Sequence, residues 1–341
     1  MPISSPQLRT GTKRTTTRDV AAMAGVSQTT VSIVLNDRND LGISPKTRER
    51  VMQAAEQLGY RSNKLAAQVF RGRTGIIGLV LPDVTSSFFT EIMRGVRSVA
   101  HDNDYLSVYA YAKSGAAHGW AEIERMLEHR VDGIICVVDR FTLPGRAKWV
   151  DELYQEGVQI VMVDDSSYAD KFDCFVSNDL EGGRLIAQHL LASEYDDYVL
   201  FRVQGTSTVN DRLQSTLATL RDAGATVHVE ELADVAKIGL QTPWVSRRPA
   251  CIALTDYDAE QVIDQLSKLG LENPRDYCIV GYGNTELARG LKLTTVDQKP
   301  FEIGVQSATC LFGRLKGSTS PPKECLNPVE LVVRRSSERT R

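Results

Sequence analysis

Apolar residues recur at helical spacing in three short runs near the start of the chain. Val20, Ala21 and Ala24 share one face of a first segment that begins at Thr16 or Thr17 and stops at Gly25. Val31, Val34 and Leu35 form the inner face of a second, with Ser27 as its cap. Val51, Ala54, Ala55 and Leu58 form that of a third, with Ser44 as cap and Pro45 as first helical residue. A cap side chain that accepts a backbone N–H, and a proline at the first helical position, both favour a helix start. None of the three is long enough to be stable alone, so the pattern predicts helices that share one small core. From Gly75 the period changes. The runs GIIGLVL, YLSVYAY, GIICVV, VQIVMVD, YVLFRV, TVHVE, ACIALT, YCIVGY and TTVD read as strands, separated mostly by amphipathic stretches of helix length. That alternation predicts parallel sheets covered by helices on both faces. A break near Asp173 to Asn178 divides them into two Rossmann-like halves.

The tight turn between the first two helices predicts a helix-turn-helix, whose second helix enters a DNA major groove. At 100° per residue, Gln28, Thr29, Ser32, Ile33 and Asn36 cluster opposite the apolar face of that helix. Charge agrees with this. The net charge of −3 hides a basic head: residues 1–75 hold 12 Lys and Arg against 5 Asp and Glu, and the remainder is acidic. Only Arg9, Lys13 and Arg14 lie in the N-terminal tail, and the other basic residues of the head fall within patterned segments. A small basic head on an acidic body is suited to a polyanion that meets the head alone.

The segments TTRDVAAMAGVSQTTVSIVLN and ISPKTRERVMQAAEQLGYRSNKLA closely resemble the head of the lactose-repressor (LacI/GalR) family of transcription factors. The order of elements continues to match over about residues 16–337. The resemblance implies the fold class: an N-terminal all-α helix-turn-helix domain and hinge helix, then an α/β body of two Rossmann-like subdomains, like a periplasmic binding protein. The expected organisation is a disordered tail (1–15), a DNA-binding domain (16–60), a hinge (61–75) and a body (76–337). Within the body, one subdomain takes about 76–175 and 300–325, and the other about 176–297 and 326–337.

The resemblance also implies roles. Gln28 and Thr29 reach base edges. Ser27, Ser32, Asn36, Thr47 and Tyr60 help hold phosphates and orientation, and Thr16, Arg18 and Ser44 are further DNA-binding positions. Ile33 stands where the family often has Arg or His. It has no donor for guanine but can pack on a thymine methyl, or simply cover helix surface. In the hinge, Asn63 caps a short helix containing Ala66 and Val69, loose off DNA and helical on it. Val69 occupies the place of the usual minor-groove leucine wedge, and Ser62 that of the usual proline.

Effector contacts are implied at the carboxyl ends of the body strands, where open α/β sheets bind ligands. Pro82, Phe88 and Phe89 follow the first strand, and Asp164 ends the fourth. Arg212 matches an arginine that clamps polar effector groups, although a structural ion pair with Asp164 or Asp256 is the competing reading. Thr255 and Asp256 stand where the family often has Asn-Asp, and Gln298 is kept. Gly283 replaces an aspartate that the family uses for sugar hydroxyls. This disfavours a simple sugar and leaves open a phosphorylated or acidic ligand on Arg212, or a vestigial pocket controlled by a protein corepressor.

The expected partners are double-stranded operator DNA, a small-molecule effector (a sugar, a sugar derivative or another metabolite) and a second copy of the chain. No cofactor, metal or membrane is expected. The six cysteines are scattered without CxxC spacing, as for reduced thiols in a cytoplasmic protein. The five histidines show no HExxH spacing, and there is no GxGxxG or GxxxxGK[ST] fingerprint, so an enzyme is not expected. No apolar run reaches the roughly 18 residues of a membrane span. The N-terminus has no apolar core of a signal peptide. The C-terminal residues LVVRRSSERTR carry no leucine heptads, so no tail-driven tetramer is expected.

Overall fold

The computed structural model describes residues 15–35, 42–60, 73–82, 86–111, 116–137, 146–193, 195, 197–203 and 208–338. Contacts divide the chain into Met1–Thr74 and Gly75–Arg341, and each unit is described by itself.

The first unit contains helices α1 (Thr17–Ala24), α2 (Gln28–Leu35) and α3 (Pro45–Gln57). Local chemistry starts each of them. Thr16 and Asp19 form a capping box ahead of α1, which ends at Gly25 with φ +64. Ser27 Oγ accepts the Thr30 N–H at 3.1 Å. Ser44 Oγ accepts the Thr47 N–H at 3.2 Å, with Pro45 as first helical residue. Val20, Val31 and Val51, one from each helix, are completely buried together, with Val34, Ala54 and Ala55 around them.

The second unit holds two parallel sheets. In the first, β1 (Ile76–Leu81), β2 (Leu106–Tyr111), β3 (Gly133–Val137), β4 (Ile160–Val163), β5 (Asp173–Ser177) and β11 (Glu324–Asn327) lie in the order β11-β5-β4-β3-β1-β2. Alternate residues face opposite layers. Ile77, Leu79, Ile135 and Val137 pack under α4 (Ser87–Asp102) and α11 (Pro300–Leu315). Val80, Ile134 and Cys136 pack with Ile123 of α5 (Ala116–Glu128) and Val150 and Leu153 of α6 (Arg146–Gln155). Burial on both faces is why these strands read as continuous apolar runs.

In the second sheet, β6 (Asp197–Arg202), β7 (Thr226–Glu231), β8 (Ala250–Ala253) and β9 (Cys278–Val280) lie in the order β7-β6-β8-β9. Tyr198, Leu200 and Ile252 face α7 (Asp179–Leu191) and α8 (Thr208–Asp222). Val199, Phe201 and Cys251 face α9 (Asp256–Lys268) and Trp244. The short helix α10 (Glu286–Gly290) precedes β10 (Thr295–Asp297), which pairs antiparallel with β12 (Glu330–Val332).

Asp173–Ser177, expected as the break between the halves, is itself a strand with all five residues buried. The chain leaves the first sheet after it, returns between β10 and α11, and leaves again between β11 and β12. These crossings are tied together. Gln298 Nε2 donates to Ser177 Oγ at 3.0 Å. The Asn178 N–H donates to the Asn327 carbonyl at 2.9 Å, and Asn327 Nδ2 donates to the Val176 carbonyl at 3.2 Å. No helix among the described residues is long and apolar enough to cross a membrane.

Candidate DNA-reading face and effector site

In the first unit the second helix has two distinct faces. Val31 and Val34 are buried, while Gln28, Thr29 and Ser32 are exposed and Ile33 is half-buried. Arg18 and Thr16 are also exposed. Ser27, Ser44 and Thr16 spend their hydroxyl oxygens on helix starts, so they hold the helices as well as facing solvent. Thr47 is half-buried at the start of α3, its hydroxyl 2.9 Å from Ser44 Oγ. Tyr60 is half-buried against the small core. Asn36, Asn63, Ala66 and Val69 lie outside the described residues.

In the second unit Pro82 follows β1, and Phe88 and Phe89 form an edge-to-face pair with centroids 5.2 Å apart. Both rings are half-buried at the start of α4, packed on the core below. Asp164 follows β4 with φ 65, in the left-handed region.

Arg212 is buried and lies within the second lobe's own framework. Its guanidinium carbon sits 3.8 Å from the centroid of the Tyr282 ring. Nη1 donates to the Leu254 carbonyl at 3.0 Å. Nε lies 3.1 Å from Asp179 Oδ1 but is not aligned for a hydrogen bond, so that contact is Coulombic. The same oxygen accepts the Tyr282 hydroxyl at 2.7 Å. Burial opposes the Arg212 charge, but Asp179, Tyr282 and, from the other sheet, Asp164 outweigh it and raise its pKa. Burial likewise raises the Tyr282 pKa, with Asp179 and Asp164 adding to the effect. Asp164, which follows β4 of the first sheet, adds its negative charge to both shifts.

Asp256 is completely buried. Its Oδ2 accepts the Thr285 N–H and hydroxyl, both at 2.8 Å, and its Oδ1 accepts the Thr295 hydroxyl at 2.6 Å. Those bonds tie β8 to the loop before α10 and to β10, and occupy both carboxylate oxygens. Thr255 caps α9, its Oγ1 accepting the Asp258 N–H at 3.1 Å. Gly283 has φ +128, and a Cβ built there would lie 3.3 Å from Asp256 Oδ2. Gln298 is buried in the crossing described above.

Three residues of this site were not singled out by sequence reasoning. Asp179 opens α7 directly after its cap Asn178, and Tyr282 follows β9. Asp258 is buried in the first turn of α9, and its Oδ2 has no hydrogen-bond partner among the described residues. The available signal was position: acids at helix starts and an aromatic residue at a strand end, all facing the carboxyl edge of a parallel sheet. A Cβ on Gly182 would collide with the Tyr282 ring, so that glycine lets the ring reach Asp179.

A model of bacterial regulatory proteins of the lacI family matches residues 16–63. A model of periplasmic binding proteins and the sugar-binding domain of the LacI family matches residues 74–238. The chain belongs to the LacI family. A periplasmic-binding-protein-like model matches residues 187–337 of this LacI-family chain. It is 28% identical over 333 residues to the HTH-type transcriptional repressor PurR of Vibrio vulnificus, covering 94% of this chain and 97% of the relative. It is 27% identical over 335 residues to the ribose operon repressor of Halalkalibacterium halodurans, covering 95% and 97%. Among solved structures, the Lac repressor dimer bound to operator and the anti-inducer ONPF matches with a TM-score of 0.82 at 24% identity. That match covers 95% of this LacI-family chain and 99% of the Lac repressor chain, and it shows that the two share a fold.

Proposed function

We propose that this LacI-family chain is a cytoplasmic, homodimeric transcriptional repressor whose binding to operator DNA is set by a small metabolite held between the lobes of its body. The observation that carries this reading is the two-faced second helix. Gln28, Thr29 and Ser32 stand in solvent because Val31 and Val34 anchor the opposite face in the core. Polar side chains on a rigid helix of this kind suit the major groove. A two-fold dimer would present two such helices to a near-palindromic operator. PurR of Vibrio vulnificus and the ribose operon repressor, both similar over nearly the whole chain, are repressors by name.

Selection of bound sequences from a random duplex library by the full chain tests this. A near-palindromic consensus, with a dimer in sedimentation, is the expected result. Binding without sequence preference, or to one half-site by a monomer, would overturn it.

A further inference from the structure

The two units of the chain are joined at Thr74 and Gly75, and the first residue of the body is held from two sides. Gly75 has φ 67, in the left-handed region, so the chain turns there before it runs into β1. Both neighbouring strands grip this turn. The Gly75 carbonyl accepts the N–H of Leu106, at the start of β2, at 2.9 Å. The Ile76 carbonyl accepts the N–H of Asp132, just ahead of β3, at 2.8 Å. The third bond uses a side chain. The Gly75 N–H donates to Asp132 Oδ2 at 2.9 Å, across 57 positions of sequence.

Asp132 thus binds the entry turn twice, once through its backbone and once through its carboxylate. Its own place is fixed by what precedes it. After α5 the chain turns at Arg130, with φ 54, and the Val131 N–H returns to the Met126 carbonyl at 3.1 Å. Val131 packs on the core beneath α5 and α6. The carboxylate therefore stands on a well-held corner of the first lobe. A bond from an N–H to a carboxylate is roughly twice as strong as a neutral one. The sheet is paired without it, since β1 meets β2 from Ile76 to Leu81 and β3 from Ile77 to Val80. What the bond adds is a fixed direction for the chain at Gly75, where the head is joined to the body.

We propose that Asp132 is a positioning residue for operator binding. By holding the Gly75 N–H it sets the direction of the chain at the edge of the body, and so the spacing at which the two heads of a dimer meet their half-sites. This rests on the dimeric, operator-binding reading above. Two heads joined through one body bind with an effective concentration that depends on how well their separation matches the site. Half-site spacing is therefore read as geometry. Loosening the anchor spreads that separation, which weakens the matched site and relaxes discrimination against a mismatched one. Non-specific binding uses phosphate contacts at either head alone and is left as it was.

The test uses the full chain and the operator selected from the random library. Beside it are versions with a base pair inserted or removed at the centre, and a non-specific duplex. Asp132→Ala removes the acceptor and leaves the backbone bonds, and Asp132→Asn keeps an oxygen in its place. Asp132→Ala should bind the operator about tenfold or more weaker and distinguish the altered spacings less. Its non-specific affinity should equal that of wild type, and its melting temperature should stay within a few degrees. Asp132→Asn should recover much of the operator affinity and of the spacing preference. Gly75→Ala puts a side chain at φ 67 and disturbs the turn from its other partner, so it should lose spacing preference too. It decides alone if Asp132→Ala fails to fold. Operator affinity and spacing preference equal to wild type in Asp132→Ala would overturn the proposal. So would an equal loss on operator and non-specific duplex, or a loss that follows the melting temperature with spacing preference intact, since a merely structural role gives either. A wild type that binds its operator but ignores half-site spacing would overturn this proposal and leave the operator-binding reading standing. A wild type that prefers no duplex over another would overturn both.

Discussion

The Tyr282 hydroxyl donates to Asp179 Oδ1 at 2.7 Å, joining the end of β9 to the start of α7 across 103 positions of sequence. Arg212 lies on the face of the same ring and against the same oxygen, so three side chains from separate elements share one buried contact. An arginine held this way is first a part of the lobe. Removing one member of a buried ion pair strands the other, at a cost of about 3–5 kcal/mol. Arg212→Ala and Asp179→Ala should therefore each destabilise the body strongly, and the double variant should lose much less than the sum of the two. Tyr282→Phe should cost about 1–3 kcal/mol, since it leaves the carboxylate one donor short. Urea denaturation of these four variants beside wild type measures this, and strict additivity of the Arg212 and Asp179 effects would show that they do not act as a pair.

Gly283 leads to a second expectation. Placing there the aspartate that the resemblance implies should not create a sugar site. A side chain at φ +128 is strained, and its Cβ would lie 3.3 Å from the saturated Asp256 carboxylate. Backbone strain of this kind costs about 1–3 kcal/mol. Gly283→Asp should be less stable than wild type at neutral pH and less stable than Gly283→Asn. The gap between the two variants should narrow as the carboxylates are protonated. Melting temperatures across a pH series provide the check.

How much of this was readable beforehand depended on the distance over which each feature is determined. The caps Thr16, Ser27 and Ser44 were legible because each acts on a backbone N–H three residues away. The strands of the two sheets were legible where burial on both faces gives a long apolar run. Asp173–Ser177 was not, because only Cys174, Phe175 and Val176 are apolar and polar residues flank them. Glu324–Asn327 is shorter and half-exposed, and it is a strand only because it pairs with β5 in register, Glu324 beside Cys174. Arg212 stood out from its motif, but its partner did not. Asp164 and Asp256 were the acids expected near it, yet the acid in contact is Asp179, brought there by the packing of α7 on α8.

Acid should weaken the body at one identifiable histidine. His189 Nε2 lies 2.8 Å from Ser337 Oγ, which in turn lies 2.6 Å from Thr294 Oγ1, so the ring holds the C-terminal segment to α7. Burial lowers its pKa from the ordinary 6.5. The folded state therefore prefers the neutral ring, and the unfolded chain binds the proton first. Its contribution is complete above about pH 6.5 and declines as pH falls below that value, until the folded state also takes the proton. Wild type and His189→Gln, compared by thermal melts from neutral to mildly acidic pH, should differ most at neutral pH. A constant difference would remove His189 from the account.

The division at Gly75 should separate what binds DNA from what senses. A chain beginning at Gly75 keeps both sheets and their cores, so it should fold, dimerise and retain ligand binding. It should lose operator affinity entirely, because the basic residues of the head go with the first unit. For the full chain, affinity should fall with salt at a log–log slope of about −0.9 per phosphate neutralised. Operator binding by the shortened chain at wild-type affinity would place the DNA contacts in the body instead.

Within the head, base preference and overall affinity should separate by residue. Gln28 and Thr29 are exposed at the first two positions of α2, where side chains can reach base edges. Exchanging the pair should change which half-site is preferred, at about 1–3 kcal/mol per mismatched base pair. Replacing Arg18 or Lys46 should instead weaken all sequences alike and reduce the salt slope. Ile33 is the more demanding case, because it is half-buried and so partly committed to covering the helix. Ile33→Arg adds a donor fork that can bond guanine O6 and N7. If Ile33 faces the groove, the variant should gain a preference for guanine at one position of each half-site. If the residue only covers neighbouring helix surface, the consensus selected from a random library should be that of wild type, and the melting temperature of the head should fall instead.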